Sequence, residues 1–298
     1  MLLRPVLLLA SVATSNLVSS LSTATTVDPS RIRAVSLDIT GTLLATREPV
    51  VKSYHDAAAW ARLSHVPSQE ELKRGFKVSY KERNLESPCF GGEEGISGRE
   101  WWRETVRRVL HHANPERTYS DEEFDRYFQR VYQHFGGPLG YEILSDAGRF
   151  LDAMEASDSE VLLGITSNTP RRHIDSVLPM VGIHDRFRWF TCSQEVGREK
   201  PSWDIFESSF RKARFWAPDL SKDEVLHVGD SYECDYCGAK RYGFQALLLD
   251  RSGNPSVTKY QDWVEGPDYD GKSPEEVQSN TITGLDKVAD LLLKASPV

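Results

Sequence analysis

Two hydrophobic rhythms share this chain. Between residues 49 and 141 apolar side chains recur at spacings of three and four. Phe124, Tyr127, Phe128, Val131, Tyr132 and Phe135 fall on one face of a predicted helix, and Trp102, Val106, Val109 and Leu110 on one face of another. Three helix starts are marked by a serine followed three residues later by a glutamate: Ser68 with Glu71, Ser97 with Glu100, and Ser120 with Glu123. In such a capping box the serine oxygen accepts an amide of the first turn, and the glutamate reaches back to the serine amide. Amides that a helix start leaves without partners are thereby satisfied. The aromatic stripes read as the buried core of a small helical domain rather than as a cofactor site.

Outside that block the rhythm is strand, helix, strand. Residues 31–38, "VLLGITS", "FRWFTCS", "VLHVGD" and "ALLLD" are short apolar runs of strand length. Helix-like stretches such as "PRRHIDSVLPMVG" and "WDIFESSFRKARF" separate them. This alternation predicts right-handed βαβ units, hence an α/β fold with a Rossmann-like parallel sheet covered by helices on both faces. The helical block 49–141 is then an insertion after the first strand, and residues 28–48 with 142–298 form the core. Beyond Arg251 the polar stretch to Asn280 predicts a loop, and "LDKVADLLL" a closing helix.

Composition narrows the picture without naming a chemistry. Of the 298 residues 39% are hydrophobic and 27% charged, as in an ordinary globular protein. A formal charge of -8, with no basic stripe, argues against nucleic acid as a partner and against a charged membrane surface. The first 27 residues differ: Arg4, a short apolar run, a Ser/Thr-rich continuation and no acid before Asp28. The apolar run falls well short of the ~20 residues a membrane span needs. The segment therefore reads as a cleaved signal or transit peptide, with Ser22-Thr23-Ala24 as a small-residue cleavage site and a secretory or organellar (mitochondrial or plastid) destination. The mature protein is expected to have no membrane span.

Four cysteines, Cys89, Cys192, Cys234 and Cys237, are too few for a disulfide framework. Cys234 and Cys237 form a CxxC, but no second pair lies at zinc-site spacing, so packed reduced thiols are the plainer expectation.

The chemistry collects where strands end. In open parallel sheets ligands bind at the carboxyl ends of the strands. Asp38 follows the first strand, in "VSLDITGTLL". Ser167 and Asn168 follow "VLLGIT". Asp230 and Asp235 lie in "GDSYECD", and Lys200 lies in "GREKP" before a helix. Singly, these residues are ordinary turn, cap or surface groups, and His173 and His227 read as packing or surface residues. Together, acids, a lysine and a hydroxyl on one rim form an inventory suited to phosphate and Mg²⁺: hard oxygens for the ion, a cation against negative charge, a donor for a phosphoryl oxygen.

The order and spacing of "DITGTL", "TSN", "KP" and "GDSYECD" resemble the four motifs of the haloacid dehalogenase-like hydrolases, from about Ile32 to Leu293. The stretches "REWW" and "HVGDSYECDYCGA" mark the subgroup it most resembles. The resemblance implies Asp38 as nucleophile, taking a phosphoryl group as an aspartyl phosphate. It implies Mg²⁺ held by Asp38, the carbonyl of Thr40 and Asp230, with Asp235 completing or orienting that set. Ser167, Asn168, Gly41, Thr42 and Lys200 would face the substrate, a small phosphorylated metabolite, and the inserted helices would form a mobile cap.

Thr40 departs from the pattern of most phosphatases of the family, which carry an aspartate two residues after the nucleophile. A threonine hydroxyl does not supply a proton near neutral pH, and general acid–base help is typically worth about 10²–10⁴-fold. The expectation is therefore a slow or specialised Mg²⁺-dependent phosphatase. The alternatives are a catalytically inactive binding or regulatory relative and, last, a thiol activity at Cys234 and Cys237. Dehalogenation ranks low because the metal-type acids Asp230 and Asp235 are both present.

Overall fold

The structure is a computed structural model and describes residues 26–157, 159–252 and 274–295. Six parallel strands form its centre: β1 (Ala34–Leu37), β4 (Leu162–Ser167), β5 (Trp189–Cys192), β6 (Val225–Gly229), β7 (Gln245–Leu249) and β8 (Thr281–Ile282). Their spatial order is β5-β4-β1-β6-β7-β8. Two further strands, β2 (Leu44–Thr46) and β3 (Tyr141–Ile143), pair antiparallel as a separate ribbon.

Both faces of the sheet are covered, so its central strands are buried almost throughout, the edge strand β8 being half-buried, and their side chains divide with period two. Val35, Leu37, Leu226, Val228, Leu247 and Leu249 face one core, shared with Phe150, Leu151, Val288 and Leu292 of two flanking helices. Ala34, Val225, Ala246 and Leu248 face the other, against Ile205, Phe206 and Phe210 of the helix Trp203–Trp216. The parallel α/β expectation holds.

A third core lies in the helices between β2 and β3. Val50–Trp60, Gln69–Glu86, Gly98–Ala113 and Asp121–His134 pack around Tyr54, Leu72, Val109, Leu110, Phe124, Tyr127 and Phe128. All three capping boxes form. Trp101 rather than Trp102 is the fully buried tryptophan, its Nε1 donating to the Ser87 carbonyl at 2.8 Å. The chain enters and leaves this block through the β2–β3 ribbon, with Thr46 opposite Tyr141.

One expectation changes at the C-terminal end, and one strand there was not foreseen. The loop predicted from Arg251 to Asn280 contains the helix Pro274–Ser279, and β8 begins directly after Asn280. A two-residue strand recruited onto the sheet edge by Leu248 and Leu249 has no periodicity of its own to read. At the other end, most of the segment expected to be a targeting peptide lies outside the described residues. Thr26 and Val27 are within them and belong to the folded body: the Thr26 amide donates to Asn280 Oδ1 at 3.0 Å, and Val27 is buried.

Candidate active site

The sheet order creates the site. From β1 the chain goes to one side, to β4 and β5, and later returns to the other side as β6 and β7. The carboxyl ends of β4 and β6 therefore flank that of β1, a topological switch point. Asp38 leaves β1, Ser167 ends β4, and Asp230 follows β6.

The turn after Asp38 is built closely. Gly41 has φ +83°, and a Cβ there would lie 2.2 Å from Asp230 Oδ2, so only glycine lets the two loops meet. Arg251, just beyond β7, secures the turn from outside. It donates to the carbonyls of Gly41 and Thr42, the latter at 2.7 Å, and forms an ion pair with Asp146 at 2.9 Å. Thr42 is fully buried beneath the turn, while Thr40 is exposed.

Lys200 sits at the centre. Its Nζ donates to Asp38 Oδ1 at 2.7 Å, to Asp235 Oδ1 at 2.6 Å and to the Thr166 carbonyl at 2.9 Å. All three ammonium protons are thus engaged, and the side chain is almost wholly buried. Asn168 clamps this residue by its backbone: its Oδ1 accepts from the Lys200 amide at 2.6 Å, and its Nδ2 donates to the Lys200 carbonyl at 2.9 Å. The amide of Asn168, expected to face substrate, is committed to placing the lysine.

The three acids have unequal environments. One oxygen from each of Asp38, Asp230 and Asp235 lies within 4.8 Å of the others. Asp235 is committed to the protein: besides Lys200, its Oδ1 accepts from His227 Nε2 at 3.0 Å and its Oδ2 from the Ser231 amide at 2.9 Å. Burial alone would raise its pKa, but Lys200 and His227 hold it well below the carboxylate range. Asp38 goes the other way. Burial raises it, Lys200 opposes, and the charge of Asp235 adds to the rise. Asp230 is exposed at the rim, yet enclosure by the surrounding loops and then the charges of Asp38 and Asp235 raise it to about 6. With all three carboxylates ionised, the one lysine leaves two negative charges uncompensated. This set of hard oxygens fits a divalent cation, with Asp38 and Asp230 as the acids free to bind it and Asp235 orienting Lys200. Ser167 Oγ, close enough to Asp38 to favour its ionised form, is buried without a hydrogen-bond partner of proper geometry.

Beneath the site runs a polar chain that sequence reasoning missed. His227, set aside as packing or surface, is fully buried, with Nδ1 3.0 Å from Ser36 Oγ. Ser36 meets Thr166 Oγ1 at 2.7 Å, Thr166 donates to Ser209 Oγ at 2.6 Å, and Trp189 Nε1 donates to the same oxygen at 2.9 Å. These groups come from four adjacent strands and a helix, and they connect rigidly packed core to the base of Asp235. The available signal was a histidine inside the apolar run "VLHV". Arg251 had one too: it directly follows "ALLLD", on the same rim. The CxxC cysteines are half-buried thiols outside any disulfide, and burial raises the pKa of Cys234, opposite to what a reactive thiolate needs.

Comparison with known proteins agrees with this geometry. The profile of the haloacid dehalogenase-like hydrolases matches residues 32–243. Human haloacid dehalogenase-like hydrolase domain-containing protein 3 is 27% identical over 219 residues, covering 74% of this chain and 82% of that protein. The rhythmically expressed gene 2 protein of Drosophila melanogaster is 25% identical, covering 79% of this chain and 90% of that one. These are the subgroup that the "REWW" and "HVGDSYECDYCGA" stretches resemble. Among solved structures, a 2-haloacid dehalogenase from Pseudomonas syringae superposes with a TM-score of 0.57 at 20% identity, over 89% of this chain and 100% of that one. A putative hydrolase of the same family from Bacillus subtilis, bound to magnesium, gives 0.51 at 16% identity, over 88% and 99%.

Proposed function

This chain belongs to the haloacid dehalogenase-like hydrolase family, and on that premise we propose that it is a slow, Mg²⁺-dependent phosphatase acting through an aspartyl phosphate on Asp38. The observation that carries the reading is the third acid. Displacing a halide with Asp38 needs no further carboxylate beside it, whereas Asp230 adds negative charge that a bound cation would offset. When bound, the ion would neutralise charge on the transferring phosphoryl group.

The chain's own residues do the rest. Lys200 engages Asp38 Oδ1, which leaves Oδ2 to attack phosphorus. The new O–P bond forms as the bond to the leaving oxygen breaks, and that oxygen departs with the electron pair. Ser167, buried and without a partner, donates to a phosphoryl oxygen. Asn168 and Asp235 hold Lys200 in place, so the lysine balances charge as the phosphoryl group moves. In the second half, water attacks phosphorus, inorganic phosphate leaves, and Asp38 is restored as carboxylate. A proton of the attacking water passes to solvent, because Thr40 supplies no base. The helical block, entered and left through the β2–β3 ribbon, acts as the cap over this site.

The test is a rapid-quench experiment with radiolabelled acetyl phosphate in Mg²⁺. The expected result is a burst of acid-stable labelled protein followed by a low steady rate. Asp38→Asn abolishes the burst, and Thr40→Asp speeds release. Absence of label in protein shown to bind Mg²⁺ overturns the phosphatase reading in favour of a binding protein that keeps the fold.

A further inference from the structure

The aromatic stripe does more than fill a core. Between the helical block and the sheet lies a cavity of about 120 Å³, walled on one side by Phe76, Trp102, Phe128 and Phe135 of the helices. Thr46 and Tyr141 of the ribbon and Pro170, three residues after Ser167, close the other side. None of Asp38, Lys200, Asp230 or Asp235 lines it. An enclosed apolar cavity of ~150 Å³ stays dry and takes up benzene; this one is somewhat smaller but partly open, so a single small ring or a branched alkyl group can enter with its polar end outside the apolar walls.

One end of the cavity is not apolar. Arg172 lies over the ring of Tyr132, its guanidinium carbon 3.4 Å from the centroid. It reaches that place because residue 136 is glycine: a Cβ there would lie 2.1 Å from Nη2. Among the described residues no carboxylate pairs with Arg172. Burial lowers its pKa, and the charged or polar groups facing it include Tyr132, which also serves it as a side-chain hydrogen-bond partner, Tyr141, His173 and Arg99, the last a second cation. Arg99 stands 5.8 Å from the same Tyr132 ring; its charge reaches the exposed Glu100, but among the described residues it forms no ion pair. Beside them, His173 Nε2 meets Tyr141 Oη at 3.1 Å, while Nδ1 is buried with no partner. A half-buried guanidinium without a counter-ion is costly, and an aromatic face compensates only in part.

We propose that this cavity is a ligand site for a small aromatic or branched aliphatic carboxylate, its apolar body among the aromatic rings and its carboxylate on Arg172. The carboxylate supplies the missing counter-ion in the planar, two-pronged geometry that guanidinium favours. The walls come from both the helical block and the sheet side, so a bound molecule bridges the two. The site does not depend on phosphatase chemistry, and its test uses none.

The experiment is fluorine NMR of 4-fluorobenzoate, with fluorobenzene as the neutral probe, against the full chain. Saturable broadening and shift of 4-fluorobenzoate are expected. Arg172→Met should weaken that probe about ten-fold or more, the order of a charge-assisted hydrogen bond, and leave fluorobenzene unchanged. Arg172→Lys should weaken it less. Val106→Phe, which fills the cavity, should remove both signals, and melting curves establish that each variant folds. If Val106→Phe fails to fold, the Arg172 pair carries the test alone. The proposal is overturned if 4-fluorobenzoate gives no saturable signal at millimolar concentration. It is equally overturned if folded Arg172→Met binds it as wild type does.

Discussion

Replacing Lys200 by methionine tests the electrostatic centre of the site directly. Methionine matches the lysine stem in length but removes the charge and three donated hydrogen bonds, to Asp38, Asp235 and the Thr166 carbonyl. Asp235 keeps His227 and the Ser231 amide, whereas Asp38 loses its cation while remaining buried near another carboxylate. Removing one partner of a buried ion pair typically costs about 3–5 kcal/mol. For a domain of this size each kcal/mol moves Tm by roughly 2–4 °C, so a fall of about 6–20 °C is expected.

The penalty also has a sign in pH. Without Lys200 the pKa of Asp38, already raised by burial, rises further above its unfolded value. An acid raised in the folded state contributes stability that is complete below the unfolded pKa, near 3.9, and lost as pH rises through the folded one. The gap between variant and wild type should therefore narrow from pH 8 to pH 5. The assay is thermal unfolding in chelator across that range, with Asp38→Asn and the double variant completing a cycle. A coupling of about 0.5–3 kcal/mol is expected, since the two side chains touch. A Tm for Lys200→Met within about 2 °C of wild type at pH 7.5, or a penalty that grows on acidification, would refute this account.

Mg²⁺ should raise the melting temperature of the wild type, by the order of 2.7 kcal/mol of stability at a hundred times Kd, and should not do so for Asp230→Ala; equal shifts in the two would remove Asp230 from the metal site. Burial and then Arg172 lower the pKa of His173 to about 4, so its unfolded form takes up a proton first as pH falls from about 6.5. Stability worth up to about 3 kcal/mol should be lost between those two values, and His173→Gln, which can keep a hydrogen bond to Tyr141, should flatten that slope in urea titrations at several pH values. Ser97→Ala removes the cap of the helix Gly98–Ala113 and should cost about 1 kcal/mol, read as a lower urea midpoint with an unchanged slope.

The features legible in the sequence are those whose cause lies within a few residues. Ser68, Ser97 and Ser120 announce helix starts because the capping glutamate is three residues away, within reach of a side chain whatever the rest of the fold does. The strands of the parallel sheet are continuous apolar runs because both faces are covered, and the acids, lysine and hydroxyl at their ends are local markers of the rim. Asp38, Ser167, Lys200, Asp230 and Asp235 are for that reason recognisable from their place in the chain alone.

Which of them touch was decided by tertiary structure. Lys200 bonds Asp38 across 162 residues of sequence and Asp235 across 35, and only the strand order β4-β1-β6 brings those loops together. The same packing made Asn168 a clamp on Lys200, drew His227 and Ser36 into the base of Asp235, and set Arg251 across the turn at Gly41. None of these contacts leaves a periodic trace, because each partner meets the other at a single point in space. Strand β8 and the β2–β3 ribbon are too short to show a rhythm, and the cavity beside Arg172 exists only as the space between layers whose separation no local pattern records. Propensity, capping and alternation act over a turn or a strand, whereas convergence of charge and the shape of a void arise only when distant elements pack.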